Sequence, residues 1–346
     1  MAQAAGVSRQ TVSKVVNFQD RVSKDLQEAV LQAIKETGYR PSSMARSLAL
    51  QRTGLVAFRV GEGMRNEASL LDPFMREVAR IGAEHDYRLV LDAVPGDDSA
   101  QIASYQDLTA SRSVDAVIIV ETHPDDLRAR WLTDNNVPFV AFGRPWGEDS
   151  AKHSWVDVDS RLGIRQAVEH LHDRGHSRIG YIGSPVDGGR HEDRREGWRE
   201  AMAELSPDSV SDGLAYLSFE SRRRDLGANI DAFLESAEPT AVVCQDDQFA
   251  HEAMRSAVRV GLKPGEDFAV VGFDDSMVAR RAQPAISSVA QPLTMAATLV
   301  WEALLPQIRG EQDKPLQVLI PPELVVRESS DFEFKPSDRT QQKETP

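Results

Sequence analysis

A single cysteine, Cys244, in 346 residues leaves no partner for an intrachain disulfide and fits a reducing cytosol. Apolar runs are short. None approaches the ~20 residues of a membrane span, and the first residues lack the charged and apolar regions of a signal peptide. Enzyme signatures are missing too: there is no P-loop, no G-x-G-x-x-G after a strand pattern, and 183-GSP-185 lacks the second glycine of a nucleophile elbow. In 170-HLHDRGH-176 only His172 and His176 share a helical face, and no third metal ligand accompanies them. The pair of acids in 157-DVD-159 lacks the further oxygens and the glycine of a calcium loop. No leucine heptad occurs near the C-terminus, so a tetramer built on that device is not expected. The expectation is a cytoplasmic protein that is not an enzyme and carries no cofactor and no metal.

Positive charge is scarce over most of the chain and concentrated at its start. The whole sequence has 40 Lys+Arg against 54 Asp+Glu, a formal charge of −14, and 41% hydrophobic residues, enough for two or three domains with real cores. Residues 1–52 hold eight bases and four acids, a charge of +4, which leaves −18 for the remainder. An acidic body repels phosphate while a basic head attracts it, the asymmetry of a nucleic-acid-binding arm. Within that arm, 8-SRQTVSKVVN-17 reads as a short helix capped by Ser8. Arg9, Ser13, Asn17, Gln10 and Lys14 fall in an arc of roughly 140°, with Val12, Val15 and Val16 opposite. Upstream, 3-QAAGV-7 offers Gly6 for a tight turn between helices. Downstream, Ser23 can cap a helix whose Leu26, Val30 and Ile34 recur every fourth residue, and Gly38 can end it. Three short helices with a polar, cationic middle one describe a helix-turn-helix over 1–40, its second helix suited to the DNA major groove. The plainer alternative is an amphipathic surface helix.

The stretch AGVSRQTVSKVVN, followed by VSKDLQEAVLQAIKETGYRPSSMARSLA, resembles the head of the lactose/galactose repressor (LacI/GalR-type) family of bacterial transcription regulators. The family's hinge, a proline, a short helix and a leucine, is matched by 41-PSSMARSL-48, and the resemblance runs on to 326-VRES-329. It implies that Ser8, Arg9, Gln10, Thr11, Ser13, Lys14 and Asn17 contact DNA, with Arg9, Gln10 and Lys14 at base edges and Ser13 and Asn17 at phosphates. Ser42 and Leu48 of the hinge and linker, 41–53, join them. Residues 43–49 are too few for a stable isolated helix, so the hinge is expected to order on DNA, with Leu48 wedged into the minor groove. A homodimer on a pseudo-palindromic operator is implied. Two departures stand out. The family's first helix starts upstream of the point matching Met1, so either the start codon lies downstream of the true one or the head is crippled by the loss of that helix's start and its phosphate-contacting cap. Lys14 stands where arginine is commoner, and lysine lacks the bidentate fork that reads guanine.

From Gly54 to about 330 the pattern is α/β. The runs 54–60, 87–93, 114–120 and 137–142 read as buried parallel strands, with crossover helices at 73–86, 99–112 and 124–136. A second series at 178–183, 213–218, 240–245 and 268–273 alternates with helices near 160–175, 190–204, 224–237 and 247–261. Two such series imply a body of two doubly wound, parallel-sheet subdomains of the periplasmic-binding-protein type with a cleft between them. The resemblance adds three chain crossings, placed near 158, 291 and 315. Residues 331–346 are polar and aperiodic, expected to be a disordered tail.

Ligands of open α/β sheets bind at the carboxyl ends of the strands. There the sequence puts Asp246 and Asp247, Asp274 and Asp275, Arg194, the segment 72-DPF-74 and the segment 143-GRPW-146. Carboxylates that accept from hydroxyls, arginines that donate and rings that stack suit a polyhydroxylated ligand. By the resemblance, Arg194 and Asp274 contact the effector and Asp246 accompanies them; Asp72, Phe74, Arg144, Trp146 and Phe219 complete the expected set. The competing reading makes Arg194–Asp274 a structural ion pair with no ligand. The chain is read as a DNA-binding regulator, a repressor, controlled by a small molecule, most simply a sugar. The alternative is a solute-binding protein of the periplasmic type with no DNA-binding activity.

Overall fold

The computed structural model of the chain describes residues 2–17, 22–38, 52–60, 70–147, 151–185, 189–205, 217–221, 226–311 and 314–335. The hinge expected at 41–48, with Ser42 and Leu48, lies outside them, as do the side chains of Ser13 and Asn17.

The head is helix α1 (Arg9–Asn17) and helix α2 (Lys24–Thr37). Residues 2–6 form turns closed by Val7 N–H donating to the Ala2 carbonyl at 3.0 Å, in place of the first helix expected upstream. Gly6 takes φ 64°, the left-handed value that a side chain would disfavour. Ser8 caps α1 by accepting from the Thr11 N–H at 3.0 Å. Val12, Val15, Val30 and Ala33 are buried, and Ala2, Ala5, Val7, Val22 and Ile34 pack around them. Val12 and Val15 of the apolar arc contribute to this core. Ser23 precedes α2 without a side-chain capping bond, and Leu26 is exposed; Gly38 ends the helix at φ 63°.

The body holds two six-stranded sheets. The first lobe contains β1 (Leu55–Arg59), α3 (Leu71–Glu84), β2 (Arg88–Asp92), α4 (Asp98–Ala110), β3 (Ala116–Val120), α5 (Leu127–Asp134), β4 (Phe139–Phe142) and β5 (Ser154–Val158). The second contains α6 (Ser160–Asp173), β6 (Ile179–Gly183), α7 (Arg190–Leu205), β7 (Ser218–Glu220), α8 (Leu226–Ala237), β8 (Ala241–Cys244), α9 (Asp247–Arg259), β9 (Ala269–Phe273), α10 (Met277–Arg281) and β10 (Ser287–Ala290). Then α11 (Leu293–Arg309) and β11 (Gln317–Ile320) return to the first lobe, and β12 (Glu323–Val325) to the second.

The sheet orders are β11-β5-β4-β3-β1-β2 and β12-β10-β9-β8-β6-β7. All pairings are parallel except β10 with β12. Central strands such as β3 and β9 are buried throughout, which is why they read as unbroken apolar runs. Helix α11 covers one face of the first sheet through Val300, Trp301 and Leu304, and Trp301 donates from its indole to the Val78 carbonyl at 2.8 Å. Gly82 of α3 admits that ring: a Cβ there would sit 2.4 Å from it.

Three differences from the sequence reading have physical causes. The chain passes between lobes at Asp159 and at 291–292, but the third passage falls at Pro321 and Pro322 instead of near 315. The run 316–329 is two strands of different sheets, because two prolines without N–H groups cannot continue one ladder. Strand β5, which the sequence reading did not mark, alternates buried and half-buried residues beside the sheet edge. The tail expected from 331 is docked as far as 335: Phe334 stacks on His176 at 4.6 Å between ring centroids and donates its N–H to the Arg174 carbonyl. Phe332 packs on the second lobe's core.

Candidate functional site

Strand ends of both lobes face one cavity of about 280 Å³. From the first lobe come Glu121 and Thr122 after β3, Gly143 and Trp146 after β4, and Asp157 of β5. From the second come Ser184, Arg190, Arg194, Gln245, Asp246 and Asp274, with Gln291 at a crossing. The volume sits near the lower end of the ~300–1,000 Å³ usual for small-molecule sites.

Arg194 forms the floor on the second-lobe side. It is almost wholly buried, donates to the Gln245 carbonyl at 2.5 Å, lies 3.7 Å above the Phe273 ring and approaches Asp274 at 3.6 Å. Asp274 and Asp275 both hold positive φ, 97° and 47°. A conformation of that kind costs of order 1–3 kcal/mol per residue and persists only where the surroundings hold it. Here the Asp274 N–H donates to the Val289 carbonyl at 2.8 Å and the Asp275 N–H to the Ser288 hydroxyl at 2.9 Å. Asp275 also binds Arg280 at 2.6 Å and Arg327. The turn thereby presents the Asp274 carboxylate to the cleft, where Gln291 donates to it at 2.7 Å. Burial raises the Asp274 carboxyl above its ordinary range, against the pull of Arg194 and with the help of Asp246.

Asp246 caps α9, accepting from the N–H groups of Gln248 and Phe249 at 2.9 and 3.1 Å. The next residue, Asp247, is pushed up to about 7 by burial and by Asp274. It accepts from the Ser288 hydroxyl and the Ser276 N–H, both at 2.6 Å. Gly272 makes room for it, since a Cβ there would lie 2.3 Å from an Asp247 oxygen.

The other wall is a chain of charges that spans the lobes. Arg144 donates to Asp157 at 2.7 Å within its own lobe and to Asp193, on α7 of the other, at 3.0 Å. Asp193 also accepts from Arg161 at 3.1 Å. The Arg144 guanidinium stands 4.6 Å from the Trp146 ring, whose indole donates to the Thr122 hydroxyl at 3.2 Å. Burial raises Asp157, and Arg144 pulls it back.

Of the residues singled out from sequence, Trp146, Arg194, Asp246, Asp247 and Asp274 line the cavity. Arg144 stands beside it with its donors committed to ion pairs, so it positions the wall. Three expectations fail. Phe74 is fully buried and stacks on Phe142 at 3.9 Å, because it falls on the inward face of α3 with Val78 and Ile81. Helix α3 begins at Leu71, earlier than expected, so Leu70 and Leu71 reach the cavity while Asp72 turns outward to Arg76 at 2.8 Å. Phe219 packs on Phe233 at 5.4 Å, away from the cleft. Glu121, Thr122, Arg190, Gln245 and Gln291 were missed. Their positions just past strand ends or at the start of α7 were the available signal.

In the head, Arg9, Gln10 and Lys14 are exposed, as is Ser8, and Thr11 is half-buried. The Ser8 and Thr11 hydroxyls lie 2.9 Å apart, so they serve each other and the cap.

A small helix-turn-helix unit and a two-lobed body with a polar interlobe cleft define a ligand-binding protein equipped with a DNA-reading head. Residues 1–42 match the family described as bacterial regulatory proteins, lacI family, and residues 168–330 match a periplasmic binding protein-like domain. The HTH-type transcriptional regulator CelR of Thermobifida fusca is 34% identical over 334 residues, covering 95% of this chain and 96% of that protein. AglR of Rhizobium meliloti (strain 1021) is 30% identical, with 95% and 93% covered. The solved complex of CelR with cellobiose superposes with a TM-score of 0.70 at 32% identity, covering 95% and 98% of the two chains. The operator-bound Lac repressor dimer shares the fold, TM-score 0.75 at 24% identity, with 95% and 97% covered. The chain belongs to the lacI family. It is a DNA-binding transcriptional regulator with an effector-binding body, from a family of regulators and not of enzymes. Among the described residues no helix is long and apolar enough to cross a membrane.

Proposed function

We propose that this regulator represses transcription as a homodimer on a pseudo-palindromic operator in the bacterial cytoplasm, and that a carbohydrate bound between the lobes controls its affinity. The observation that carries the reading is the cleft itself, which Trp146 lines from the first lobe and Arg194 and Asp274 from the second. Such a site offers an aromatic wall together with acceptors and donors for a sugar's hydroxyls. That CelR is solved with cellobiose supports a sugar, and a β-linked disaccharide is the first to try. In the head, Arg9, Gln10 and Lys14 form the base-reading face, while Ser13 and Asn17 serve phosphates and Leu48 the minor groove.

The test begins with the purified chain and a pool of random duplexes. One palindromic sequence should be enriched, and a sugar panel that includes cellobiose should then change affinity for it. Failure to enrich any sequence removes the operator reading. An operator complex indifferent to every sugar removes the carbohydrate part alone.

A further inference from the structure

Two charged groups that line the cleft are engaged in no ion pair among the described residues. Glu121 lines the cavity from the first lobe and Arg190, the first residue of α7, from the second. Among the described residues neither side chain makes an ion pair, and Arg190 has only the His191 imidazole nearby, at 3.4 Å. The neighbouring charges are committed. Asp157 belongs to Arg144, Arg194 to Asp274 and the Gln245 carbonyl, Asp246 to the start of α9, and Asp247 to Ser276 and Ser288. The Arg190 side chain is exposed at the cleft. Desolvation in the cleft and the like charge of Arg194 act to lower its pKa, against the carboxylates of Glu121, Asp274 and Asp157.

A ligand that displaces the cleft water must replace the hydrogen bonds of both groups. An ionised carboxylate only accepts and a guanidinium only donates, so the ligand must bring donors to Glu121 and acceptors to Arg190. Hydroxyls supply both. A carboxylate or phosphate seated at Arg190 would satisfy it but bring a negative charge towards Glu121, whose carboxylate acts on the same guanidinium. It would also enter a cavity where the carboxylates of Glu121, Asp246 and Asp274 outnumber Arg190 and Arg194, Asp157 being offset by Arg144. We propose that Glu121 and Arg190 select an uncharged, polyhydroxylated effector and reject its acid and phosphate forms. This rests on the carbohydrate reading above.

The experiment is isothermal titration of the full-length chain with matched sets. Cellobiose is paired with cellobionate, and glucose and galactose with their uronates and 6-phosphates. In the wild type a neutral member should bind at least about 10-fold more tightly than its charged forms, the equivalent of one charged hydrogen bond. Glu121→Gln should narrow that ratio, since it removes the repulsion. Arg190→Gln should weaken the neutral ligand without admitting the charged one. The ratio compares two ligands on one protein, so partial misfolding of a variant cancels. An acid or phosphate form that binds as well as its neutral parent overturns the proposal, as does a ratio unmoved by Glu121→Gln. If no member binds, charged or neutral, while the operator is still bound, the carbohydrate reading fails and takes this selectivity with it.

Discussion

Asp274→Asn separates a ligand contact from a structural ion pair. The change keeps the shape of the side chain and its bond from Gln291 while removing the charge beside Arg194, 3.6 Å away. As an effector contact, Asp274 supplies a charged acceptor, and hydrogen bonds of that kind are worth about 1.5–3 kcal/mol. Effector affinity should therefore fall by roughly 10- to 150-fold. Stability should move little or upward. Burial raises the Asp274 carboxyl in the fold, so its ionised form is disfavoured there relative to the unfolded chain. Its contribution to stability is present at low pH and is lost as pH rises past the ordinary carboxylate range toward the folded value. Asparagine removes that loss, and Arg194 keeps the Gln245 carbonyl and the Phe273 ring. Operator affinity without effector should match wild type. The measurement is titration of effector and of operator on one protein sample, with urea unfolding alongside. Unchanged effector affinity together with a large loss of stability would refute the reasoning and leave Asp274 as the partner of Arg194.

Arg144→Met should strand Asp157 and remove one partner of Asp193, at a cost of about 1–3 kcal/mol, less than for a fully buried pair because Arg144 and Asp157 are half-buried. Calorimetry at two pH values checks the cause: the loss should shrink at acid pH, where Asp157, already raised by burial, takes up a proton. Asp247, pushed up to about 7, makes wild-type stability fall as pH rises from about 4 to about 7, by at most about 4 kcal/mol. Urea unfolding of Asp247→Asn across that window should show the fall reduced, and parallel curves for the two proteins would remove Asp247 as its source. In the head, Gln10→Ala should change which operator a random pool yields, whereas Arg9→Lys should mainly weaken binding at a guanine step. Identical selected sequences for Gln10→Ala and wild type would take Gln10 off the base edges.

Much of the fold could be read from the chain because its elements are locally consistent. The continuous apolar runs of β3 and β9 admit only doubly covered strands, and Asp246 announces α9 by its cap. The site was legible where chemistry and strand ends coincide, as at Arg194, Asp246 and Asp274. It was illegible where one turn of helix decides. Starting α3 at Leu71 puts Phe74 in the core and Asp72 in solvent, and Asp72 and Pro73, which suit any place in a first turn, do not fix which residue comes first. Glu121 and Arg190 went unread for another reason. Each is an ordinary surface-type residue in sequence, and only the approach of the two lobes gives them a common cavity.

The three passages between lobes mean that neither lobe is a continuous stretch of chain. The first lobe's sheet needs β11, and one of its faces needs α11 with Val300, Trp301 and Leu304. The second lobe has all its parallel strands by residue 290. Synthesis runs from the N-terminus, and domains generally form as their residues emerge. The lobe begun first is therefore finished last, after its partner is nearly whole. A ribosome stalled before α11 would hold a nearly complete second lobe beside a first lobe with the binding face for Trp301 bare. That bare apolar face would be open to a nascent-chain chaperone until α11 arrives.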